Sequence, residues 1–517
     1  MSIRRGVLPF VALGALLAPL PALAQEAPLS AIDWLSESVA SPPPQPVTPR
    51  AEEPAITDSA LPEEISTRPI DGPSRDATGL LAPSVTGLPR KLWGETSTDE
   101  LIALIRAQRP GGLPAVQDLL YTLLMAEVDP PADSDHSGRL FLARVDKLLE
   151  FGALDPAMSL LELAGQDEPE TFRRFFDVAL LMGDEDRACD TMRATPEIAP
   201  TFQARIFCLA RGGDWNAAAL SLRTGHALGQ ISAEDEALLA RFLDPELFEG
   251  EPDLVPPSRP TPLVWRMFEA LGEPIPTQTL PVAFAQADLR ANTGWKSQIE
   301  AAERLARLGA ISPNRLLGLY TERVPAASGG VWDRVRAVQR LDQALNREDA
   351  PDVLAQAVQT AWEVMGDAEL EVILGQLYGE ALMTRDLPGP AGATAYRLAL
   401  LSPAYEEAAT RRDPTQGEER FLAGIARGAL DGASMPGSMA AAIRTGLGAE
   451  APPADVAALI EGNRIGEALL RAARGLNEAA SGDPRSAADG LAALRHLGLE
   501  DVARRAALQL MILERRG

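Results

Sequence analysis

The chain has 517 residues, with 73 Asp and Glu against 48 Lys and Arg and a formal net charge of −25. That balance excludes a partner recognised through its phosphate backbone, so no nucleic acid is expected, and it disfavours electrostatic docking on an anionic membrane. At 46% hydrophobic but only 5% aromatic, the core must be packed mainly by Leu and Ala, which lose little freedom in helices.

Met1 to Ala24 has the three parts of a secretory signal. Arg4 and Arg5 charge its start, Gly6 to Leu20 form an apolar stretch, and Ala22-Leu23-Ala24 supplies small residues for cleavage after Ala24. The apolar stretch falls short of the roughly 20 residues that span a bilayer, and Pro9 and Pro19 interrupt it. The expected location is the periplasm, with no stable membrane insertion after cleavage. Loss of the two arginines takes the net charge from −25 to −27.

Residues 25–90 read as a disordered, Pro-rich leader, because its prolines remove backbone donors and favour extended conformations. Two apolar islands interrupt it. In the first, Ile32, Leu35 and Val39 line one stripe of a short amphipathic helix with Trp34 beside it. These four residues form a candidate docking peptide, directed either at a partner or back onto the chain's own body. The roughly 40 residues that follow make a tether with an r.m.s. reach of about 35 Å. The second island, Gly79 to Gly94, is expected to lie extended across the folded body.

Beyond residue 96 apolar residues recur at i, i+3, i+4 and i+7, as in "DELIALIRAQ" and "RLFLARVDKLLEFG", and strand-like alternation is missing. The expected fold is all-α. An N-terminal helical lobe at 91–249, a Pro-rich boundary at 250–262 and a C-terminal lobe at 263–517 with capping helices make up the reading. A repeat runs through it. Gly152, Gly183, Gly213 and Gly498 each end one helix and precede another, and each is followed five residues later by Ala157, Ala188, Ala218 or Ala503. Helical hairpins of this size bury their apolar faces by stacking on neighbours, which predicts an α-solenoid.

The segments "LLEFGALDPAMSLLELAG", "ALLMGDEDRACDTMRAT", "LARGGDWNAAALSLRTG" and "LRHLGLEDVARRAALQL" resemble the tetratricopeptide-like helical-repeat class. The likeness covers roughly 145–228 and 485–515. The aromatic pattern of that class is not kept, and the first three units are 31 and 30 residues apart. The resemblance implies a protein-interaction scaffold.

Cys189 and Cys208, the two cysteines, fall on consecutive predicted helices, where an antiparallel hairpin lets them meet as a disulfide in an oxidising compartment. The alternative is a pair of buried free thiols. His136, His226 and His496 stand apart with no ligand spacing, so no metal is expected. No nucleotide loop or nucleophile elbow occurs, and no cofactor is expected. Trp215, Trp265, Trp295, Trp332 and Trp362 recur through the helices, as packing wedges or as the lining of a peptide groove. The expected function is a non-catalytic adaptor for protein partners in a cell-envelope machine, such as cell-wall synthesis or the flagellar motor. The alternatives are a cell-wall hydrolase with an unrecognised carboxylate pair and a periplasmic chaperone.

Overall fold

The computed structural model describes residues 74–135, 137–347, 350–414, 417–430 and 436–513. The signal, its cleavage point after Ala24 and the docking candidates Ile32, Trp34, Leu35 and Val39 lie outside the described residues.

The described chain is all-α, as expected, and its extended segments form no β-sheet. It opens with α1 (Thr98–Ala107), α2 (Pro114–Met125), α3 (Arg139–Glu150) and α4 (Leu154–Ala164). Next come α5 (Pro169–Met182), α6 (Glu185–Ala194), α7 (Phe202–Arg211), α8 (Trp215–Ala227), α9 (Ala233–Leu243) and α10 (Pro262–Ala270). The middle holds α11 (Trp295–Arg307), α12 (Pro313–Thr321), α13 (Val331–Asn346), α14 (Pro351–Gly366), α15 (Glu371–Met383) and α16 (Pro390–Leu400). The chain closes with α17 (Tyr405–Arg411), α18 (Gly417–Arg427), α19 (Ser438–Leu447), α20 (Ala454–Glu461), α21 (Ile465–Ala480), α22 (Pro484–His496) and α23 (Glu500–Ile512).

The four repeat glycines share one backbone state. Gly152, Gly183, Gly213 and Gly498 have φ of 78°, 87°, 82° and 82°, the left-handed position that closes a helix. The following N–H bonds back to a carbonyl five residues earlier: Ala153 to Leu148, Asp184 to Ala179, Asp214 to Leu209 and Leu499 to Leu494. A new helix starts two residues after each glycine. Ala157, Ala188, Ala218 and Ala503 are all fully buried. A further copy uses Asn in place of Gly. Asn463 has φ of 54°, Arg464 bonds back to Leu459, and Ala468 is fully buried.

Helices pack mainly on their chain neighbours, but the last return to the first. Helix α21 packs on α1 and α2, and α23 packs on α2. The buried core falls into two main clusters. One joins residues from 88–287 to Val372 and to residues from 396–513, and the other spans 282–398. The core continues across the Pro-rich 250–262 stretch, since Leu263, Trp265 and Phe268 of α10 are buried with the helices before it.

Residues 74–90, grouped by composition with the disordered leader, are instead packed on this body together with residues 91–93. Leu80 and Leu81 donate to the carbonyl of Met125, and Glu127 donates back to Leu81. Trp93 is buried beside Gly466, whose N–H bonds the Leu92 carbonyl at 2.8 Å. The second island is therefore extended only in part, with one helical turn at Pro83–Thr86 and turns over residues 90–94, and it clips α2 to α21.

Candidate functional site

Helix α3 carries the densest buried charge. Its apolar stripe of Leu140, Phe141, Val145 and Leu148 fits any core helix, yet Arg144, Asp146 and Lys147 are buried with it. Each is satisfied, which burial of a charge requires. Arg144 donates to the carbonyls of Leu124 at 2.8 Å, Ala126 at 2.7 Å and Thr78 at 2.9 Å, tying residues 76–78 to the end of α2. Burial pushes its guanidinium down to about 10, against the pull of the nearby Asp76. Asp76 in turn accepts the N–H of Phe141 at 2.9 Å, at the start of α3.

Lys147 caps the end of α1. Its Nζ donates to the carbonyls of Arg106 at 2.9 Å and Gln108 at 2.8 Å, completing acceptors that the helix leaves unpaired. Burial lowers the ammonium pKa, and Glu150 opposes that shift. On the other side, Arg174 of α5 grips Asp146 through two nitrogens, one contact at 2.8 Å, and also reaches Glu170 at 3.0 Å.

This ion pair floors a cleft of about 280 Å³ between α1 and α3. Ile102, Ala103, Leu142 and Ala143 make its walls. At the mouth Arg139 pairs with Asp99, while Arg106 makes no ion pair among the described residues. One turn along α5 from the floor, Asp177 is buried with one carboxylate oxygen lacking a hydrogen-bond partner. Burial pushes its carboxyl up to about 7, despite Arg173 and Arg174 nearby. The arrangement sets ion-paired charged groups beside apolar walls.

The sequence-predicted residues lie elsewhere. The Cys189 and Cys208 sulfurs are 2.05 Å apart, a disulfide joining α6 to α7. Trp265 is buried with its Nε1 on the Ile275 carbonyl, and Trp295 packs against Trp332 with ring centroids 5.0 Å apart. Trp362 packs against both main core clusters, whereas Trp215 is 51% exposed on α8. His226 pairs with Glu236 and His496 contacts the Ala449 carbonyl, while His136 lies outside the described residues. No cluster of three or more metal-ligating side chains occurs among the described residues. None of their helices is long and apolar enough to cross a membrane.

Sequence reasoning missed the α3 cleft. The signal available was Lys147, one of three lysines, set in an apolar register among Val145, Leu148 and Leu149. No family model, curated protein or solved structure matches this chain.

Proposed function

We propose that the chain is an exported, non-catalytic helical-repeat scaffold that holds a protein partner in a cell-envelope machine. In this reading its hairpins form a tetratricopeptide-like α-solenoid that curls until its ends meet. The leader, unfolded by composition, carries the Ile32, Trp34, Leu35 and Val39 island as a tethered docking peptide in the periplasm. The single observation that carries the reading is the recurring turn, a left-handed Gly or Asn followed five residues later by a buried Ala. One turn reused in this way is how repeat proteins build extended binding surfaces. The signal-like Met1 to Ala24 and the Cys189–Cys208 pair support an oxidising destination.

In-cell crosslinking of the full chain, followed by identification of captured proteins, tests this. The expected result is one or two specific envelope proteins, with capture reduced by Trp34→Ala. Release of muropeptides from purified sacculi by the protein would overturn the non-catalytic reading.

A further inference from the structure

Counting along the chain from each repeat turn exposes one misfit. Seven residues after the turn stand Ser159, Asp190, Leu220, Leu470 and Arg505. Ser159 and Asp190 face solvent, and both are polar. Leu470 is buried, in the helix on which α1 and α2 pack, and Arg505 reaches Asp118 of α2 at 3.0 Å. The position is thus polar where it meets water and apolar where helices cover it. Leu220 breaks that pairing, since it is apolar and 64% exposed. Trp215, two residues after its turn, is half-exposed as well, whereas its counterparts Leu154 and Glu185 are buried.

Helix α8 packs on α7 and α9 with Ala218, Leu222 and Gly225 buried, which leaves Leu220 on the opposite side of the helix. Of the ten large apolar side chains exposed among the described residues, five (Trp215, Leu220, Leu228, Leu247 and Val255) fall between residues 215 and 255. Apolar exposure concentrated in this way marks an interaction surface.

We propose that the outer face of α8 around Trp215 and Leu220 seats an amphipathic helix with basic flanks from a separate protein. The proposal rests on the scaffold reading and names the chemistry of the partner at one site. The occupant is a helix because helices cover the same repeat position at Leu470, and an apolar stripe is what a helix brings to such a face. Its charge follows from the surface, as residues 202–261 hold nine acids against five arginines. The same sign disfavours two occupants from this chain. A second copy would set one acidic surface against another. In residues 25–73 the longest proline-free stretch is 29–41, which carries Asp33 and Glu37 and no base.

The probe is a photo-reactive amino acid at exposed Asn216, one turn from Leu220, placed in the full chain and activated in cells. The expected product is a crosslink to one segment of another protein, with apolar residues at helical spacing and Lys or Arg beside them. Leu220→Asp, which copies Asp190, should cut the yield roughly tenfold, and Arg223→Glu should raise it. Both substituted positions are exposed, and unchanged melting temperatures check that the fold is kept. A crosslink to residues 25–73, to a second copy or to an acidic segment overturns the proposal. So does a yield that ignores Leu220→Asp, or no crosslink at all. If Asn216 captures nothing while crosslinking of the whole chain still recovers a partner, the α8 site falls and the scaffold reading stands.

Discussion

The N–H of Ala115, in the first turn of α2, donates to Oε1 of Gln509 in α23 at 2.9 Å, across 394 residues of sequence. Helix α2 starts with Leu113 at its cap and Pro114 behind it, so no local side chain can accept its first donors. Distant residues do so instead. Asn477 of α21 accepts the N–H of Leu113 at 3.2 Å, while the Gln108 side chain, just past the end of α1, donates to the Leu470 carbonyl of α21 at 3.0 Å. The ends of the chain are thus joined by capping bonds as well as by apolar packing.

Replacing Gln509 with Ala is expected to cost about 1–3 kcal/mol, because it leaves a buried donor unsatisfied. Urea unfolding measures the loss. Hydrogen exchange should show faster opening of both α2 and α23. Faster opening of α23 alone would mean the bond does not couple the two ends.

Asp177 makes stability depend on pH in a defined direction. The folded chain holds the Asp177 proton up to about pH 7, whereas an ordinary Asp releases it near 3.8. Stability from this proton is therefore full below about pH 4 and is lost as the pH rises through 7. Asp177→Asn should be more stable than wild type by about 2–4 kcal/mol more at pH 8 than at pH 4. Denaturant titrations at the two values check this, and a difference that does not change with pH would contradict it.

The repeat turns differ in what surrounds them. A Cβ at Gly152 would lie 2.9 Å from Leu305 and 3.3 Å from Val282, whereas at Gly213 it would meet nothing within 4 Å. Gly213→Ala should therefore cost only the left-handed backbone penalty of about 1–2 kcal/mol. Gly152→Ala should cost clearly more, since packing strain adds to it. Equal thermal shifts for the two variants would count against the Gly152 contact.

The Cys189–Cys208 bond spans 19 residues. Loss of both thiols in a Cys189→Ala, Cys208→Ala variant is expected to cost roughly 3 kcal/mol through the unfolded state. Unfolding with and without reductant measures it. The double variant should be indifferent to reductant, and an equal response in variant and wild type would show that the effect lies elsewhere.

Much of the fold was legible in the sequence because its signals are local. Helical periodicity, the Gly152, Gly183, Gly213 and Gly498 turns and the Cys pair each depend on residues close together along the chain. The Asn463 turn carries no Gly signature in the sequence, although Asn also tolerates the left-handed region. The return of α21 and α23 to α1 and α2 was hidden, since nothing in "IGEALLRAARGLNEAA" or "EDVARRAALQLMI" marks a partner nearly 400 residues away. The cleft was hidden for the same reason. Arg174 and Asp146 are 28 residues apart, and charges on helices are usually solvated, so their burial emerges only when α3 and α5 pack.

The central claim is that this chain is a scaffold with a specific protein partner. The most direct test is the mass and stoichiometry of the complex purified after in-cell crosslinking of the full-length protein. A discrete complex of fixed ratio, depleted by Trp34→Ala, is the expected result. A chain recovered alone, or one carrying a heterogeneous set of unfolded proteins in no fixed ratio, would contradict it.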